Sequence, residues 1–339
     1  MRNYLVSGLS GGDEMLRTKI TDLFKVSYPI MSAPMSNHSG GRLAAAVSQA
    51  GGLGSFGGIH SAGPDYVREQ VRYIRSQTDK PFGVGFITHL IPDCSQNFEA
   101  ALEERVPVIA FSFGDPQPWL TRAKEAGAIT VCQVQSLEGA TEAVAAGTNI
   151  LVVQGNAAGG HTGRMNLLPF LARVVEQFPH IPVMASGGIS SGRTLAAALA
   201  AGAEGAWMGT VFLATPEAEE VPDSFKERVV QSDGQDTILT RVYDLIGNGP
   251  DPQGLAARVY NNRFVQMWDG RDSEIQDHRE ELASDAAEAW AKHDPEVASV
   301  YMGQSAANVS SIRPVRDVLQ DICGQAEQLL RERLRELGF

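Results

Sequence analysis

The chain has few cysteines and a shortage of positive charge. Its three cysteines, Cys94, Cys132 and Cys323, are far apart and odd in number, and no pair has the spacing of a metal site. Reduced thiols in the cytoplasm are therefore expected. The 28 Lys and Arg residues face 40 Asp and Glu residues, which gives a net charge of -12. This balance argues against nucleic acid or an anionic membrane surface as a partner, so an anionic ligand must be held locally by backbone amides.

Long apolar runs and metal-binding patterns are also missing. No window approaches the roughly 20 apolar residues of a membrane span. Residues 1–14 contain no apolar core of the signal-peptide type and no periodic pattern, and we interpret them as a flexible leader. The seven histidines form no metal triad by spacing, and no His-Glu-x-x-His occurs. We therefore expect a cytoplasmic protein that binds neither a membrane nor a metal ion.

Short apolar segments alternate with amphipathic segments along the first two thirds of the chain. The strand candidates are residues 29–35, 53–56, 82–87, 108–111, 129–134, 150–153, 182–185 and 205–208. Helical patterns separate them, and several end in a Gly that suits a helix C-cap. Eight strands in strict alternation with helices predict an α/β fold, a closed (β/α)8 TIM barrel.

The remaining third does not follow this rhythm. Residues 214–273 are rich in turn-forming Pro, Gly and Asp, with one short structured segment at 237–245. Helices are predicted at 273–292 and 313–337. We therefore divide the chain into a barrel of residues 15–213 and 295–339 and an insertion or helical subdomain of residues 214–294 after strand eight. The last helix either closes the outer ring of the barrel or meets a second subunit, so a homodimer stays open.

One histidine follows the sixth strand in a loop made mostly of Gly and Ala. His161 ends the run Gly155-Asn-Ala-Ala-Gly-Gly160, at the strand end where such sheets place ligands. Small residues let a ligand approach the backbone, and an imidazole can move a proton near neutral pH. The alternative is a glycine-rich turn with a solvated histidine. His38, His60 and His89 follow the first three strands, and we interpret each as a solvated loop histidine, although one could border the pocket.

The loops after the seventh and eighth strands predict a phosphate site. The first contains Ser186, Gly187 and Gly188, and the second contains Gly209 and Thr210. Barrels of this kind bind phosphate in these two loops, through exposed backbone N–H groups and hydroxyls. The alternative is two tight turns. A glycine pattern at residues 52–57 imitates a dinucleotide fingerprint, but a helix precedes it and the strand falls inside it, which excludes a Rossmann site.

Several of these segments together resemble the nitronate monooxygenases, a family of FMN-dependent barrel enzymes. The matching runs are 29–35, 44–54, 154–161, 185–189 and 208–212. The resemblance begins near Met15 and extends to the Gly303-Gln304 segment. FMN-dependent enoyl-acyl-carrier reductases and some NADH:quinone reductases share the same motifs. The motifs are therefore more specific for the FMN barrel superfamily than for one reaction.

The resemblance implies FMN as cofactor and assigns roles to particular positions. The flavin edge would lie against Ala33, Pro34 and Met35, with Gln133 near its pyrimidine side and Gly160 beside it. Its phosphate would lie on the two loops that the glycine pattern predicts. His161 matches the catalytic base. The family often has Glu where Ala157 stands and Asn where Gly85 stands, so the sequence offers no obvious carboxylate near position 157 to orient His161.

Three functions follow from this resemblance. The first is FMN-dependent oxidation of alkyl nitronates or nitroalkanes by O2 to a carbonyl compound and nitrite, with a small-molecule substrate and O2 as partners. The second is an NAD(P)H-dependent FMN reductase that acts on an enoyl thioester or a quinone. The third is a flavin- or phosphate-binding barrel without catalysis.

Overall fold

The computed structural model describes residues 16–247 and 254–338, so the expected leader lies outside the described residues. Eight parallel strands form the central sheet. They are β1 (Ile30–Ser32), β2 (Gly54–Gly57), β3 (Phe82–Ile87), β4 (Val108–Ser112), β5 (Ile129–Val134), β6 (Ile150–Gln154), β8 (Val183–Ser186) and β9 (Gly205–Met208). Nearly every residue in them is buried, which explains why they appear in the sequence as unbroken apolar runs.

The sheet curls into a nearly closed barrel. Its strand order is β1-β9-β8-β6-β5-β4-β3-β2, with every neighbouring pair parallel. The first and last strands in that order meet through Leu53. Its N–H donates to the Ile30 carbonyl at 2.9 Å, and its carbonyl accepts from the Ser32 N–H at 3.0 Å. The predicted TIM barrel is therefore confirmed.

Helices surround the barrel and connect successive strands. They are α1 (Lys19–Phe24), α2 (Gly41–Gln49), α3 (Pro64–Gln77), α4 (Ser95–Glu103), α5 (Gln117–Glu125), α6 (Leu137–Ala145), α7 (Leu167–Gln177), α8 (Gly192–Ala200) and the final α15 (Val315–Glu336). Gly127, Gly147 and Gly202 follow α5, α6 and α8 with φ of 84°, 85° and 97°. Only glycine adopts this conformation without strain, so each helix stops where the sequence predicts. Helix α15 packs on α8 and α2 and completes the outer ring.

Two apolar cores hold the barrel together. The inner core consists of strand residues that point into the barrel, including Met31, Val108, Val152 and Trp207, and α1 packs against it through Ile20 and Phe24. The outer core lies between the strands and the ring of helices. Because both faces of the sheet are buried, the only polar edges left to the strands are their ends. The carboxyl ends of the eight strands meet at one mouth of the barrel, and the loops that follow them carry the candidate site.

The region after β9 contains more structure than the sequence predicts. Its elements are α9 (Thr210–Leu213), α10 (Asp223–Gln231), β10 (Thr237–Thr240), α11 (Val242–Ile246), β11 (Ala256–Tyr260), α12 (Arg263–Trp268), α13 (Asp272–Asp277) and α14 (Arg279–Ala291). The predicted single segment at 237–245 is a strand followed by a helix. The predicted single helix at 273–292 is two helices that meet at His278.

A short strand also replaces part of the loop expected after the sixth barrel strand. This strand, β7 (Gly160–Thr162), pairs antiparallel with β11, which pairs antiparallel with β10. The register places Gly160 opposite Arg258 and His161 opposite Ala257. A run of Gly, His and Thr has little intrinsic strand preference, so the sequence does not predict β7. It forms because β11 offers the edge on which it pairs.

Candidate active site

The residues predicted to bind the cofactor lie together at one mouth of the barrel. Ala33, Pro34 and Met35 directly follow β1, and the Ala33 N–H donates to the Met208 carbonyl at 2.7 Å. Gly209 and Thr210 directly follow β9. A Cβ placed on Gly209 would lie 3.1 Å from the Met35 Sδ and 3.5 Å from the Ala33 Cβ. The loops after β1 and β9 are therefore in contact, and glycine at 209 leaves the space between them open.

The loop after β8 presents two consecutive backbone N–H groups. Gly187 and Gly188 have φ of 92° and 81°, and in the described part of the chain neither N–H donates a hydrogen bond to protein. A Cβ on Gly187 would lie 2.5 Å from the Gly155 carbonyl oxygen, so the position admits glycine alone. Successive N–H groups in such a turn form a concavity that binds anions. The turn has the chemistry of the predicted phosphate site.

Two hydroxyls lie at the carboxyl ends of the neighbouring strands β8 and β9. Ser186, at the end of β8, is buried, and so is Thr210. The Thr210 Oγ1 accepts a hydrogen bond from the Gly303 N–H at 3.0 Å, which leaves its own proton available for an anion. Gly303 lies between α14 and α15, so the segment that connects these two helices helps to position the loop after β9.

The imidazole of His161 has a carboxylate partner from a distant part of the chain. Its Nε2 lies 3.0 Å from the Asp244 Oδ1, in α11. The side chains are 27% and 11% exposed, so the pair is mostly shielded from water. A carboxylate that accepts from Nε2–H selects the tautomer whose lone pair is on Nδ1. The arrangement therefore orients the ring and prepares Nδ1 to accept a proton.

A chain of side-chain amides holds the backbone of this histidine. The Gln154 Nε2 donates to the His161 carbonyl at 3.1 Å, and the Gln135 Nε2 donates to the Gln154 Oε1 at 3.0 Å. The same Gln135 nitrogen lies 3.4 Å from the Oε1 of Gln133, the residue predicted near the flavin. The ends of β5 and β6 are thus connected to β7 by polar contacts. Gln133 is thus connected to the backbone of His161 through Gln135 and Gln154.

A buried arginine of β11 also holds the loop between β6 and β7. The Arg258 Nε donates to the Asn156 carbonyl at 3.0 Å, and its Nη1 donates to the Thr237 Oγ1 at 3.1 Å. Burial lowers the pKa of this guanidinium from its usual value. Ala257, the residue before Arg258 in β11, pairs with His161. Strand β11 therefore positions both the loop before β7 and the backbone of His161.

His38 differs from the solvated loop histidine that the sequence suggests. Its ring packs edge-on against Trp290 and Tyr301, at centroid distances of 5.3 and 5.9 Å, and its Nε2 is buried with no hydrogen-bond partner in the described residues. Burial lowers the pKa of His38 to about 4, so the ring is neutral. Burial, and secondarily the charge of Asp244, raises the pKa of Tyr301 to about 12. The loop that follows β1 is thereby fixed by the C-terminal region.

Steric packing explains why this chain has Gly85 where the family often has Asn. A Cβ on Gly85 would overlap with the ring of Pro34, so this chain packs proline where a side chain from β3 would otherwise lie. Ala157 stands where the family often has Glu, and Asp244 places a carboxylate beside His161 from another part of the chain. Sequence reasoning could not find Asp244, because it lies 83 residues from its partner in a turn-rich region.

Other features of the surface lie outside this mouth. A groove of about 630 Å³ on the helical C-terminal region is lined by residues of α12 and α14, and by none of the residues predicted for the site.

Among the described residues there is no group of three His, Cys, Asp or Glu side chains that could hold a metal ion. No described helix is long and apolar enough to cross a membrane.

Comparison with known proteins agrees with this architecture. A model of the nitronate monooxygenase family matches residues 17–325. FabK from Thermotoga maritima has 34% identity and a TM-score of 0.85, covering 95% of this chain and 99% of that one. A nitroalkane oxidase from Streptomyces ansochromogenes has 28% identity and a TM-score of 0.80, covering 93% of this chain and 99% of that one.

A third relative comes from the curated proteins. The "(3aS,4S,5R,7aS)-5-hydroxy-7a-methyl-1-oxo-octahydro-1H-indene-4-carboxyl-CoA dehydrogenase" of Mycobacterium tuberculosis is 34% identical over 253 residues, which are 74% of this chain and 68% of the relative. The family match covers most of the chain, and two of the relatives above are named as an oxidase and a dehydrogenase. The chain is therefore a flavin-dependent oxidoreductase that belongs to the nitronate monooxygenase family.

Proposed function

We propose that the enzyme binds FMN at the barrel mouth and oxidises alkyl nitronates or nitroalkanes with O2 to a carbonyl compound and nitrite. The observation that carries the proposal is the His161–Asp244 contact of 3.0 Å, located at the mouth that also holds the Gly187-Gly188 turn. One feature provides an oriented proton acceptor and the other an anion-binding turn. Membership of the nitronate monooxygenase family supports the same reaction.

The residues at the mouth fit the phosphate of FMN. The two N–H groups of the Gly187-Gly188 turn would donate to the phosphate, with Ser186, Gly209 and Thr210 completing the site. A side chain at 187 would overlap with the Gly155 carbonyl, and one at 209 would press on Met35. The net charge of -12 makes such local donors necessary, because the surface as a whole repels an anion.

The loop after β1 would contact the flavin ring. Ala33, Pro34 and Met35 are partly buried, and His38 anchors their loop between two aromatic rings. Gln133 would hydrogen-bond the polar edge of the ring, and Gly160 would leave room beside it. When bound, FMN supplies the redox chemistry, accepting an electron from the substrate and passing it to O2.

The proton step is the part that the chain itself performs. For a neutral nitroalkane, Nδ1 of His161 would take the proton from the carbon that bears the nitro group, and the C–H electron pair would move into the nitro group to give the nitronate. Asp244 would stabilise the imidazolium that forms, because a nearby opposite charge favours the charged form. For a nitronate substrate, the same imidazole would only position the anion.

Residues 214–294 contain Asp244 and Trp290. They also contain β10 and β11, and β11 pairs with β7, the strand that carries His161. We propose that this insertion is the part of the chain that completes the site around His161. Sequence changes in it would alter the substrate while the barrel keeps the cofactor.

The test uses the purified flavin-bound enzyme. Heat-released cofactor is identified by chromatography, and the loaded enzyme is mixed without oxygen with a nitroalkane, its nitronate or NADH. We expect FMN, with rapid bleaching by the nitronate and slow or no bleaching by NADH. FAD, or no flavin, would refute the cofactor assignment.

A second candidate reaction is the NAD(P)H-dependent reduction of an unsaturated thioester. It is favoured by the Mycobacterium tuberculosis relative, whose name places a carboxyl-CoA group in its substrate. Rapid bleaching by NADH, followed by reoxidation when an enoyl-CoA is added, would select this reaction over nitronate oxidation.

A further inference from the structure

Phe113 adopts a backbone conformation that large side chains rarely occupy. It directly follows β4 at the barrel mouth, and its φ is 63°. Positive φ is a genuine outlier for a bulky residue. Such conformations persist only where the surroundings impose them, and they concentrate at active sites. The position of Phe113 therefore needs a reason beyond the connection of β4 to α5.

The residue that imposes this conformation is His89. The His89 N–H donates to the Phe113 carbonyl at 3.1 Å, and the His89 Nδ1 lies 3.3 Å from the same oxygen. Gly114 follows with φ of 113°, and a Cβ there would lie 3.3 Å from the His89 nitrogen. The loop after β4 is thus fixed on the end of β3. His89, which the proton step does not use, has a structural task at this mouth.

The ring of Phe113 is directed at the proposed base. Its centroid lies 6.1 Å from that of the His161 imidazole, with the planes at 70°, an edge-to-face contact. Asp244 occupies the Nε2 side of the same imidazole. In the proposed reaction the reacting carbon lies beside this imidazole in either form of the substrate, because His161 would take the proton of a nitroalkane, from about 3–3.5 Å, or position the anion of a nitronate. Since the phenyl ring contacts the same imidazole, we expect the substituents on that carbon to lie near the ring.

We propose that Phe113 is the specificity-determining residue that limits the size of the alkyl group on the reacting carbon. This inference rests on the proposed nitronate reaction. The strained loop holds an apolar wall beside His161, so short alkyl groups fit and long ones collide with the ring. Since the wall is a hydrocarbon, it selects against charged substituents as well.

The experiment compares Phe113→Gly and Phe113→Asn, because both residues tolerate positive φ and both remove the ring. The matched control is Arg105→Gly. Arg105 also has a positive φ, 49°, but it is exposed and precedes β4 at the opposite end of the barrel. The control relieves the same kind of backbone strain without changing the mouth. For each enzyme, kcat/KM is measured with the nitronates of nitroethane, nitrobutane and nitrohexane.

We expect the ratio of kcat/KM for nitrohexane over nitroethane to rise about tenfold or more in both Phe113 variants, as is typical when methylene groups gain space in an apolar pocket. The ratio should stay at the wild-type value in Arg105→Gly. Ratios within about twofold of wild type in both Phe113 variants would overturn the inference and leave the nitronate reaction standing. A wild-type enzyme that turns over none of these nitronates would instead refute the proposed function.

Discussion

Nε2 of His161 lies 3.0 Å from Oδ1 of Asp244, although 83 residues separate the two in the chain. The contact exists because β7 brings the histidine onto β11, while α11, which carries Asp244, directly follows β10 of the same small sheet. In the proposed mechanism this carboxylate orients the imidazole in place of the Glu that the family often has at position 157. The proposed base and the carboxylate that contacts it thus come from two different parts of the fold.

Asp244→Asn should reduce turnover of a neutral nitroalkane by roughly 10²-fold or more, because the amide can hold the wrong tautomer of the imidazole. Flavin content should not change, since α11, which carries Asp244, contains none of the residues assigned to the flavin phosphate. Asp244→Glu should restore part of the rate. Turnover and flavin-to-protein ratio are measured for each variant.

The matched control for that substitution is Asp272→Asn. Asp272 is half exposed and pairs with Arg241 at 2.6 Å, so it tests the loss of a carboxylate in the same region without touching His161. An Asp244→Asn enzyme that keeps the rate of the Asp272→Asn enzyme would show that Asp244 does not position the base.

Gly188→Asp should lose FMN while the fold persists. The φ of 81° strains any side chain, but Asp and Asn enter this region more readily than other residues, and a Cβ there would meet only the Ala157 Cβ, at 3.4 Å. The substitution therefore adds an anion to the turn without a severe steric overlap. Asp and a phosphate would repel each other across a few ångströms. Flavin content and the thermal unfolding curve are the two readouts.

The neutral partner Gly188→Asn separates charge from bulk. It has nearly the same shape as Asp, so it should retain more FMN than Gly188→Asp. Equal retention in the two variants would mean that the phosphate does not lie at this turn.

His38 should make the fold less stable in mild acid. The pKa of its imidazole is lowered from 6.5 to about 4 in the folded protein, so the unfolded chain binds the extra proton first. Stability is then fully present above pH 6.5 and declines as the pH falls towards 4, by at most about 3 kcal/mol.

His38→Phe keeps a ring between Trp290 and Tyr301 but cannot take up a proton. Its unfolding free energy, measured with urea across that pH range, should depend less on pH than that of wild type. His180→Phe, at an exposed position, is the control and should follow the wild-type curve. A wild-type slope in His38→Phe would show that another group causes the acid sensitivity.

The sequence predicts the barrel because a fully buried strand appears in it as a run of apolar residues. Every residue of β6 is buried, and the apolar run that encodes it needs no knowledge of other parts of the chain. The glycines at helix ends are equally local signals. The predicted cofactor residues also gather at one mouth, because the carboxyl ends of parallel strands always do.

What the sequence does not predict depends on contacts between distant segments. Strand β7 contains Gly160, His161 and Thr162, which favour a strand only when β11 lies beside them. His38 is followed by Ser and Gly, a typical loop context, yet Trp290 and Tyr301 bury it. Asp244 is one of 40 acidic residues, and nothing in its neighbourhood marks it as the partner of an imidazole.

The most direct measurement compares one variant, His161→Asn, on two substrates: a neutral nitroalkane and the preformed nitronate of the same compound. Rates and flavin content are determined side by side with wild type. General-base catalysis typically contributes about 10²–10⁴-fold, and only the neutral substrate has a C–H proton to remove. We expect the nitroalkane rate to fall by that factor, the nitronate rate to fall far less, and FMN to remain bound. Near-wild-type rates on both substrates would contradict the assignment of His161 as the base.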